Sequence, residues 1–224
     1  MTTSESTTTP VRPPKPAPRN RRQRASRNAD TTAATRIDIL KSAAKAFRRL
    51  GYHGATVENI AAALRMKKGN LYYYFKNKEE ILFACHQYSL DRLLQLLDQI
   101  EHSGSAPAQK LRALIVATVH LILDELHGTA LILELEALSP AHLNAVIARR
   151  DRFDRGIRQV LDEGIADGSF APDDVKLRSF ALLGAVNWIP RWFNPAGPAT
   201  SSEIADRFAD YLIAGLRRDP ADQD

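Results

Sequence analysis

Apolar side chains recur every three to four residues along most of the chain, which is the spacing of amphipathic helices. The first such segment starts at Thr35 and ends at Gly51, since glycine tolerates the left-handed backbone that closes many helices. One stripe of this predicted helix holds Ile37, Leu40, Ala44 and Phe47. Charged residues occupy its other faces, so we expect one side of the helix to be buried.

Two shorter helices and a long one are predicted next. Thr56 is placed to cap a helix of about two turns. The inner face of that helix holds Val57, Ile60, Ala61 and Leu64. A second short helix covers residues 68–75. Asn77, followed three residues later by Glu80, has the spacing of a capping box and predicts the start of a helix that runs to Ile100.

The rest of the chain keeps the helical pattern. It shows neither the period-two alternation of strands nor a hairpin dipeptide between strand-like runs. We therefore predict an all-α protein, with turn-forming glycines and prolines between the helices. The predicted helices span residues 107–126, 129–138, 140–167, 173–193 and 201–217.

Charge divides the chain into a basic beginning and an acidic remainder. Residues 1–35 hold seven Lys or Arg and two Asp or Glu, and residues 36–80 hold ten and four. Residues 81–224 hold fourteen and twenty. A basic region of this kind is typical of proteins that meet a polyanion, and nucleic acid is the first candidate.

Residues 1–34 are predicted to form a disordered basic tail. The first 30 residues contain five of the twelve prolines and almost no large apolar side chain, so burial cannot offset the entropy of ordering. Five arginines of the tail either grip phosphates or only keep this end in solution, and both interpretations stay open. They are Arg19, Arg21, Arg22, Arg24 and Arg27.

The two short helices, braced by the first helix, have the layout of a helix-turn-helix, in which the second short helix enters the major groove of DNA. The polar side chains of segment 68–75 suit phosphate oxygens, base edges and sugars. A packed aromatic cluster is the alternative for its three tyrosines, and it applies best to Tyr72, which adjoins Leu71. We expect double-stranded DNA as a partner.

Two stretches resemble the DNA-binding domain of the TetR family of bacterial transcriptional regulators: GYHGATVENIA, residues 51–61, and GNLYYYFKNKEEIL, residues 69–82. The helical body that follows is similar in size and pattern to the second domain of that family. The resemblance implies a helix-turn-helix DNA-binding domain over residues 35–82 and an effector-binding and dimerisation domain over residues 83–224.

The resemblance also implies individual DNA contacts. Thr56 caps the second helix and touches a phosphate. The residues that face bases are Lys68, Asn70 and Tyr73. The residues that hold the DNA backbone are Tyr72, Tyr74 and Lys78.

The turn before residue 68 departs from the family pattern, which usually reads Ala-Gly-Val followed by Ser or Thr. This chain has Leu64, Arg65, Met66 and Lys67 there. We expect Arg65 either to accept a left-handed backbone or to shift the turn. Lys67 cannot cap the next helix as serine would, and we expect it to bring an extra cation to the DNA.

The acidic body is predicted to pair with a second copy. Segment 173–193 is too apolar on all sides for a one-sided surface helix, and segment 201–217 has small residues beside its apolar row, which permits close helix approach. By the resemblance, these last two helices form a homodimer that holds two recognition helices about 34 Å apart.

The other helices of the body are expected to enclose a cavity for a small apolar or acyl-CoA-type effector. Segment 191–198 resembles a TetR subgroup that controls fatty-acid or sterol breakdown. The candidate ligand contacts are Trp188, Arg191 and Trp192. The alternative for Arg191 and Trp192 is a helix-end cation beside a packed aromatic ring. The resemblance implies a repressor that the effector releases from DNA.

Catalysis and metal binding are not predicted. The chain has no glycine-rich phosphate loop and no supported nucleophile motif. His120, Asp124 and His127 share a helical face at a spacing that can bind a metal, but a solvated face is the preferred interpretation. The single cysteine, Cys85, lies among apolar residues and is expected to be buried.

We expect no cofactor, no membrane association and a cytoplasmic location, because no apolar run reaches the length of a membrane span. The alternative function is a non-specific binder of nucleic acid or of a membrane surface, driven by the arginine-rich tail.

Overall fold

The computed structural model describes residues 21–125 and 134–217, and these residues fold into helices with no strand among them. The α-helices are α1 (Arg21–Gly54), α2 (Val57–Ala63), α3 (Lys68–Tyr74), α4 (Lys78–Glu101), α5 (Pro107–His120), α6 (Pro140–Ala166), α7 (Val175–Trp188) and α8 (Ser201–Ala214). A π-helical turn, Leu121–Glu125, extends α5, and 3-10 turns cover Leu135–Ala137 and Ile189–Arg191. The all-α prediction is confirmed.

Helix α1 begins at Arg21, well before the start predicted at Thr35. The apolar pattern marks only the buried part of a helix, and the polar residues in front of it add turns at little cost once the helix is nucleated. The structure therefore describes residues 21–34 as helix, where the sequence interpretation expects a disordered tail, and residues 1–20 lie outside the described part. The helix breaks where predicted, at Gly51, whose φ is 70°.

Two other helix predictions are corrected. Residues 129–133 lie outside the described residues, and residues 134–138 hold only the 3-10 turn instead of the end of an α-helix. Helix α7 ends at Trp188, not at residue 193, because Pro190 lacks the N–H that the helix needs and restricts the residue before it.

The first hydrophobic core lies between α1, α2, α3 and the first half of α4, and we call this part, residues 36–82, the head. Its largest buried side chains include Phe47, Ile60, Leu71, Phe75, Ile81 and Leu82. Fully burying one such side chain contributes roughly 1.5–3 kcal/mol. Leu138, which lies just before α6, and Val146, which lies near the start of α6, belong to the same core.

The second core lies in the body, by which we mean the described residues from 83 onward. It joins α4, α5, α6, α7 and α8, and it includes Leu97, Leu111, Leu161, Phe170 and Ile189. Helices α4 and α6 contribute to both cores, because each is long enough to pass from one to the other. The orientation of α3 is thus fixed by helices that also build the body.

Candidate nucleic-acid interface and effector cavity

Thr56 begins α2 as predicted. Its hydroxyl oxygen accepts the N–H of Asn59 at 3.2 Å, and the side-chain oxygen of Asn59 accepts the N–H of Thr56 at 2.9 Å. This reciprocal capping box uses Asn59 in the place of the usual Glu or Gln. Thr56 is exposed on the head, so the cap and a phosphate contact are compatible.

The turn between α2 and α3 takes the first of the two alternatives, since Arg65 adopts a left-handed backbone with φ of 54°. The N–H of Arg65 donates to the carbonyl of Ala62 at 3.0 Å, and the N–H of Met66 donates to the carbonyl of Ala61 at 2.9 Å. These two bonds form a Schellman motif, which glycine usually closes. The turn keeps its shape although an arginine holds the glycine position.

Helix α3 is anchored by one face. Leu71 and Phe75, four residues apart, are buried in the head core. Tyr73 is 81% exposed and Tyr72 is 43% exposed. Tyr74 is half-buried against the head core, and its ring meets that of Tyr73 edge-on at 5.2 Å.

The packed-cluster alternative therefore applies to Tyr74 and not to Tyr72, contrary to the sequence interpretation. Tyr74 lies three residues after Leu71 and so shares its side of the helix, whereas Tyr72 lies about 100° further round. Asn70 and Lys67 are exposed at the same end of the head. Lys67 precedes α3 without a side-chain cap, as predicted.

Lys68 is held by the neighbouring helix. Its ammonium forms an ion pair with the carboxylate of Glu58 on α2 and lies 5.6 Å from the centre of the Tyr72 ring. The hydrogen bond from Lys68 lowers the pKa of Glu58, and the same bond raises the pKa of Lys68. The pair presents a positive group and a negative group together on the exposed surface.

Lys78 contacts the protein backbone of the head. Its ammonium donates to the carbonyl oxygens of Tyr52 at 2.8 Å and Ala55 at 2.9 Å, with His53 at 3.4 Å. It also lies 4.4 Å from the centre of the Tyr52 ring. These contacts use the three donors of an ammonium group. The geometry differs from the phosphate contact that the resemblance implies.

Two residues that the sequence interpretation missed support α3. The guanidinium of Arg36 donates to the carbonyl of Tyr74 at 3.1 Å and lies 4.2 Å from the centre of the Phe75 ring. Glu58 is the second, through its pair with Lys68. Arg36 lies 38 residues from Tyr74, and no local pattern indicates a contact over such a separation.

A cavity of about 220 Å³ opens among the helices of the body. Its apolar lining comes from Leu90, Leu93, Phe153, Phe180 and Leu183, and its polar lining from Thr118, Arg150, Asp151, Asp154 and Asn187. Burial lowers the pKa of the Arg150 guanidinium, because a low-dielectric environment disfavours the charge.

The three predicted ligand contacts do not line this cavity. Trp188 and Trp192 are exposed, and the guanidinium of Arg191 lies 5.6 Å from the centre of the Trp188 ring. Trp192 stacks on Phe208 of α8 at 5.9 Å. The turn at Pro190 directs this segment to the outer side of the body, so the packed-aromatic alternative describes its place.

The three residues whose spacing could bind a metal are only partly described. His120 Nδ1 lies 2.7 Å from the carboxylate of Asp124, and His127 is outside the described residues. Among the residues that the structure describes, no three metal-binding side chains come together. No described helix is long and apolar enough to cross a membrane.

Comparison with protein families matches both parts of the chain. Residues 39–85 match the family of bacterial regulatory proteins of the tetR type, and residues 104–216 match the tetracyclin repressor-like C-terminal domain. The HTH-type transcriptional repressor KstR2 of Mycolicibacterium smegmatis is 30% identical over 196 residues, which cover 85% of this chain and 95% of that protein.

Solved structures agree with this assignment. The TetR family regulator PfmR of Thermus thermophilus has a TM-score of 0.71 at 32% identity, covering 80% of this chain and 99% of its own. AibR, solved in complex with isovaleryl coenzyme A and operator DNA, has a TM-score of 0.68 at 28% identity, covering 81% and 97%. The chain belongs to the TetR family of bacterial regulatory proteins.

Proposed function

We propose that this protein is a sequence-specific transcriptional repressor that binds operator DNA as a homodimer and leaves it when an acyl-CoA-type effector occupies the body. One observation carries the DNA-binding part: α3 buries Leu71 and Phe75 and turns Tyr73, with Asn70 and Lys67, to the solvent. A short helix held in this way can enter a major groove without disturbing its own core.

Within this proposal, residues 35–82 form the DNA-binding domain and residues 83–224 the effector-binding and dimerisation domain. Thr56 and Tyr72 contact the DNA backbone, and Asn70 and Tyr73 face bases. Lys68 reaches a base only by exchanging its bond with Glu58 for one to DNA. Lys78 holds the head together from inside.

The homodimer forms through α7 and α8. An apolar stripe of α7 repeats at helical spacing and is open to solvent in the single chain, with Leu177 at 64% exposed and Trp188 at 62% exposed. Between them lie the small residues Ala181 and Gly184, and a side-chain carbon added at Gly184 would touch nothing within 4 Å. Such a face admits the matching helix of a second copy.

Light scattering tests the dimer directly. Trp188→Glu places a charge in this stripe and converts the dimer to a monomer. Ile147→Glu is the matched control, because Ile147 is an exposed apolar residue of α6 away from the stripe, and it leaves the dimer intact. A dimer that survives Trp188→Glu contradicts this interface.

The cavity favours a short acyl group. Its volume is below the roughly 300–1,000 Å³ typical of sites that enclose a drug-sized ligand, so a small apolar chain enters while the remainder of the molecule stays outside. Arg150 supplies a positive charge to an anionic part of that ligand. AibR has been crystallised with a ligand of this class, isovaleryl coenzyme A.

A binding experiment tests the function. The full chain is used to select duplexes from a random library, and the affinity for the selected sequence is compared with that for a scrambled one. We expect a clear preference, which isovaleryl coenzyme A or another short acyl-CoA reduces. Equal affinity for both sequences contradicts sequence-specific recognition.

Deletion of residues 1–30 separates this function from non-specific binding by the tail. We expect the preference for the selected sequence to survive with a lower affinity, because α3 and its supports lie after residue 30. If the deletion abolishes binding to every duplex, the arginine-rich tail is the binding element.

A further inference from the structure

The first turn of α4 connects the head to the beginning of α6 through Glu79. Its Oε1 accepts a hydrogen bond from the backbone N–H of Ser139 at 2.9 Å, and the imidazole Nδ1 of His142 lies 2.7 Å from the same oxygen. An ionised carboxylate only accepts hydrogen bonds, so Nδ1 of His142 carries the proton. Ser139 is also the N-cap of α6, and its hydroxyl accepts the N–H of His142 at 3.4 Å.

The His142 ring is fixed from a second side. It stacks on the ring of Phe83, with 3.8 Å between the ring centres and 8° between the planes. Phe83 lies one turn after Glu79 on α4 and is itself packed against the head core. Glu79 and Phe83 together therefore hold the first turn of α6 against the beginning of α4, the helix that follows α3.

Helix α6 runs from this contact into the effector cavity. Val146, one turn after His142, is fully buried in the head core. One turn further, Arg150 lines the cavity, followed by Phe153 and Asp154. These positions span about 18 Å of one continuous helix. A helix moves as a rod over such a length, so a shift beside the cavity displaces its first turn as well.

We propose that Glu79 and His142 are positioning residues that transmit the state of the body cavity to the orientation of α3. The proposal rests on the proposed function. A ligand that displaces α6 either pulls Glu79, and with it the start of α4, or breaks the contact and releases the head.

Two other cross-links between the same helices serve as comparisons. Arg149 pairs with Asp91 and Arg152 pairs with Asp98, each at 2.6 Å. The first pair is half-buried and the second is exposed, and both join α6 to later turns of α4, away from α3. They hold the two helices side by side but do not contact the turn that follows α3.

The coupling can be measured from the DNA side without knowing the effector, because allosteric coupling is reciprocal. Hydrogen exchange is followed with and without the duplex selected by the protein. In the wild type we expect DNA to slow exchange in α3 and also in residues 142–154 of α6, the latter by about fivefold or more.

Two substitutions test the assigned residues. His142→Phe keeps an aromatic ring over Phe83 and removes the Nδ1 donor, and Glu79→Gln removes the carboxylate charge. In both variants we expect DNA still to slow hydrogen exchange in α3 but no longer in residues 142–154 of α6. Arg152→Gln, the matched control, keeps both responses.

The outcomes separate the two proposals. If no duplex is selected, the proposed function fails. If DNA binds but α6 shows no response, or if the response persists in both variants, the inference is overturned. A merely structural role would lower the thermal stability of His142→Phe and leave the α6 response intact, which also overturns it.

Discussion

The ammonium of Lys78 lies 2.8 Å from the carbonyl oxygen of Tyr52 and 4.4 Å from the centre of its ring. This contact ties the start of α4 to the end of α1. Tyr52 is buried and its ring lies 5.3 Å from that of Phe47 in the head core. The Lys78 ammonium is thus held by a buried part of the head, although the resemblance implies a contact with DNA.

Lys78→Met removes this contact while keeping most of the aliphatic stem. We expect a loss of about 1.5 to 3 kcal/mol in the free energy of unfolding, as for hydrogen bonds to charged groups. The slope of log affinity for DNA against log salt should stay unchanged, as measured by fluorescence anisotropy. Lys67→Met is the control, with unchanged stability and a slope smaller by about one. A slope reduced by Lys78→Met would assign that residue to a phosphate.

Tyr73→Ala removes the most exposed ring of α3. We expect operator affinity to fall by about 1 to 3 kcal/mol, as for the loss of a good base contact, with no change in thermal unfolding. Tyr74→Ala should instead lower the thermal stability, because the Tyr74 ring packs against the head core. Equal effects of the two substitutions on stability would contradict the assigned faces.

Arg65→Gly should relieve the left-handed backbone at φ of 54°. That conformation costs a residue with a side chain about 1 to 2 kcal/mol, which exceeds the entropy of a more flexible unfolded chain. We expect the midpoint of urea unfolding to rise slightly. Lys67→Gly, at φ of −72°, offers no such relief and should lower the midpoint. If both substitutions destabilise equally, the turn is not strained at Arg65.

Glu79 gives the head an acid-sensitive contact. Burial raises its pKa, but the N–H of Ser139 and the imidazole of His142 outweigh burial, and the pKa lies below the ordinary value. The stabilisation is therefore complete above the unfolded glutamate value of about 4.3 and is lost as the pH falls through the lower folded-state value. Urea unfolding of the wild type and Glu79→Gln should converge in that range. A difference that grows on acidification would contradict this.

Cys85 should be protected from thiol reagents. It is fully buried, its thiol lies 3.6 Å from the carbonyl oxygen of Leu40, and burial raises its pKa to about 12. We expect no reaction with a chromogenic disulfide until denaturant is added. In the Ser202→Cys control the added thiol on α8 should react at once. Rapid reaction of Cys85 in the native protein would show that the head core opens readily.

The helix starts of the head were predictable because their signals are local. The caps at Thr56 and Asn77 depend on residues three positions away, and the sequence alone contains that information. The left-handed residue at Arg65 was open to two interpretations, since arginine has no special preference for that backbone. The burial of Tyr74 could have been predicted from helical geometry, because Tyr74 lies three residues after Leu71.

The supports of the site were beyond sequence reasoning. Lys78 meets Tyr52 across 26 positions, and Glu79 meets His142 across 63. Contacts of this kind depend on how helices pack, and no spacing rule anticipates them. The segment around Arg191 was open to two interpretations, because its aromatic character is equally suited to a cavity and to an outer face.

Lys78, Glu79 and Glu80 are consecutive on α4, so their side chains leave the helix about 100° apart. Each faces a different neighbour: the turn before α2, the beginning of α6, and the backbone of Lys76, whose N–H donates to Glu80 at 2.7 Å. One helical turn thus contacts three different parts of the molecule: the end of the first helix, the start of α6 and the turn between α3 and α4. A substitution at one of these three positions can therefore alter one contact and leave the other two in place.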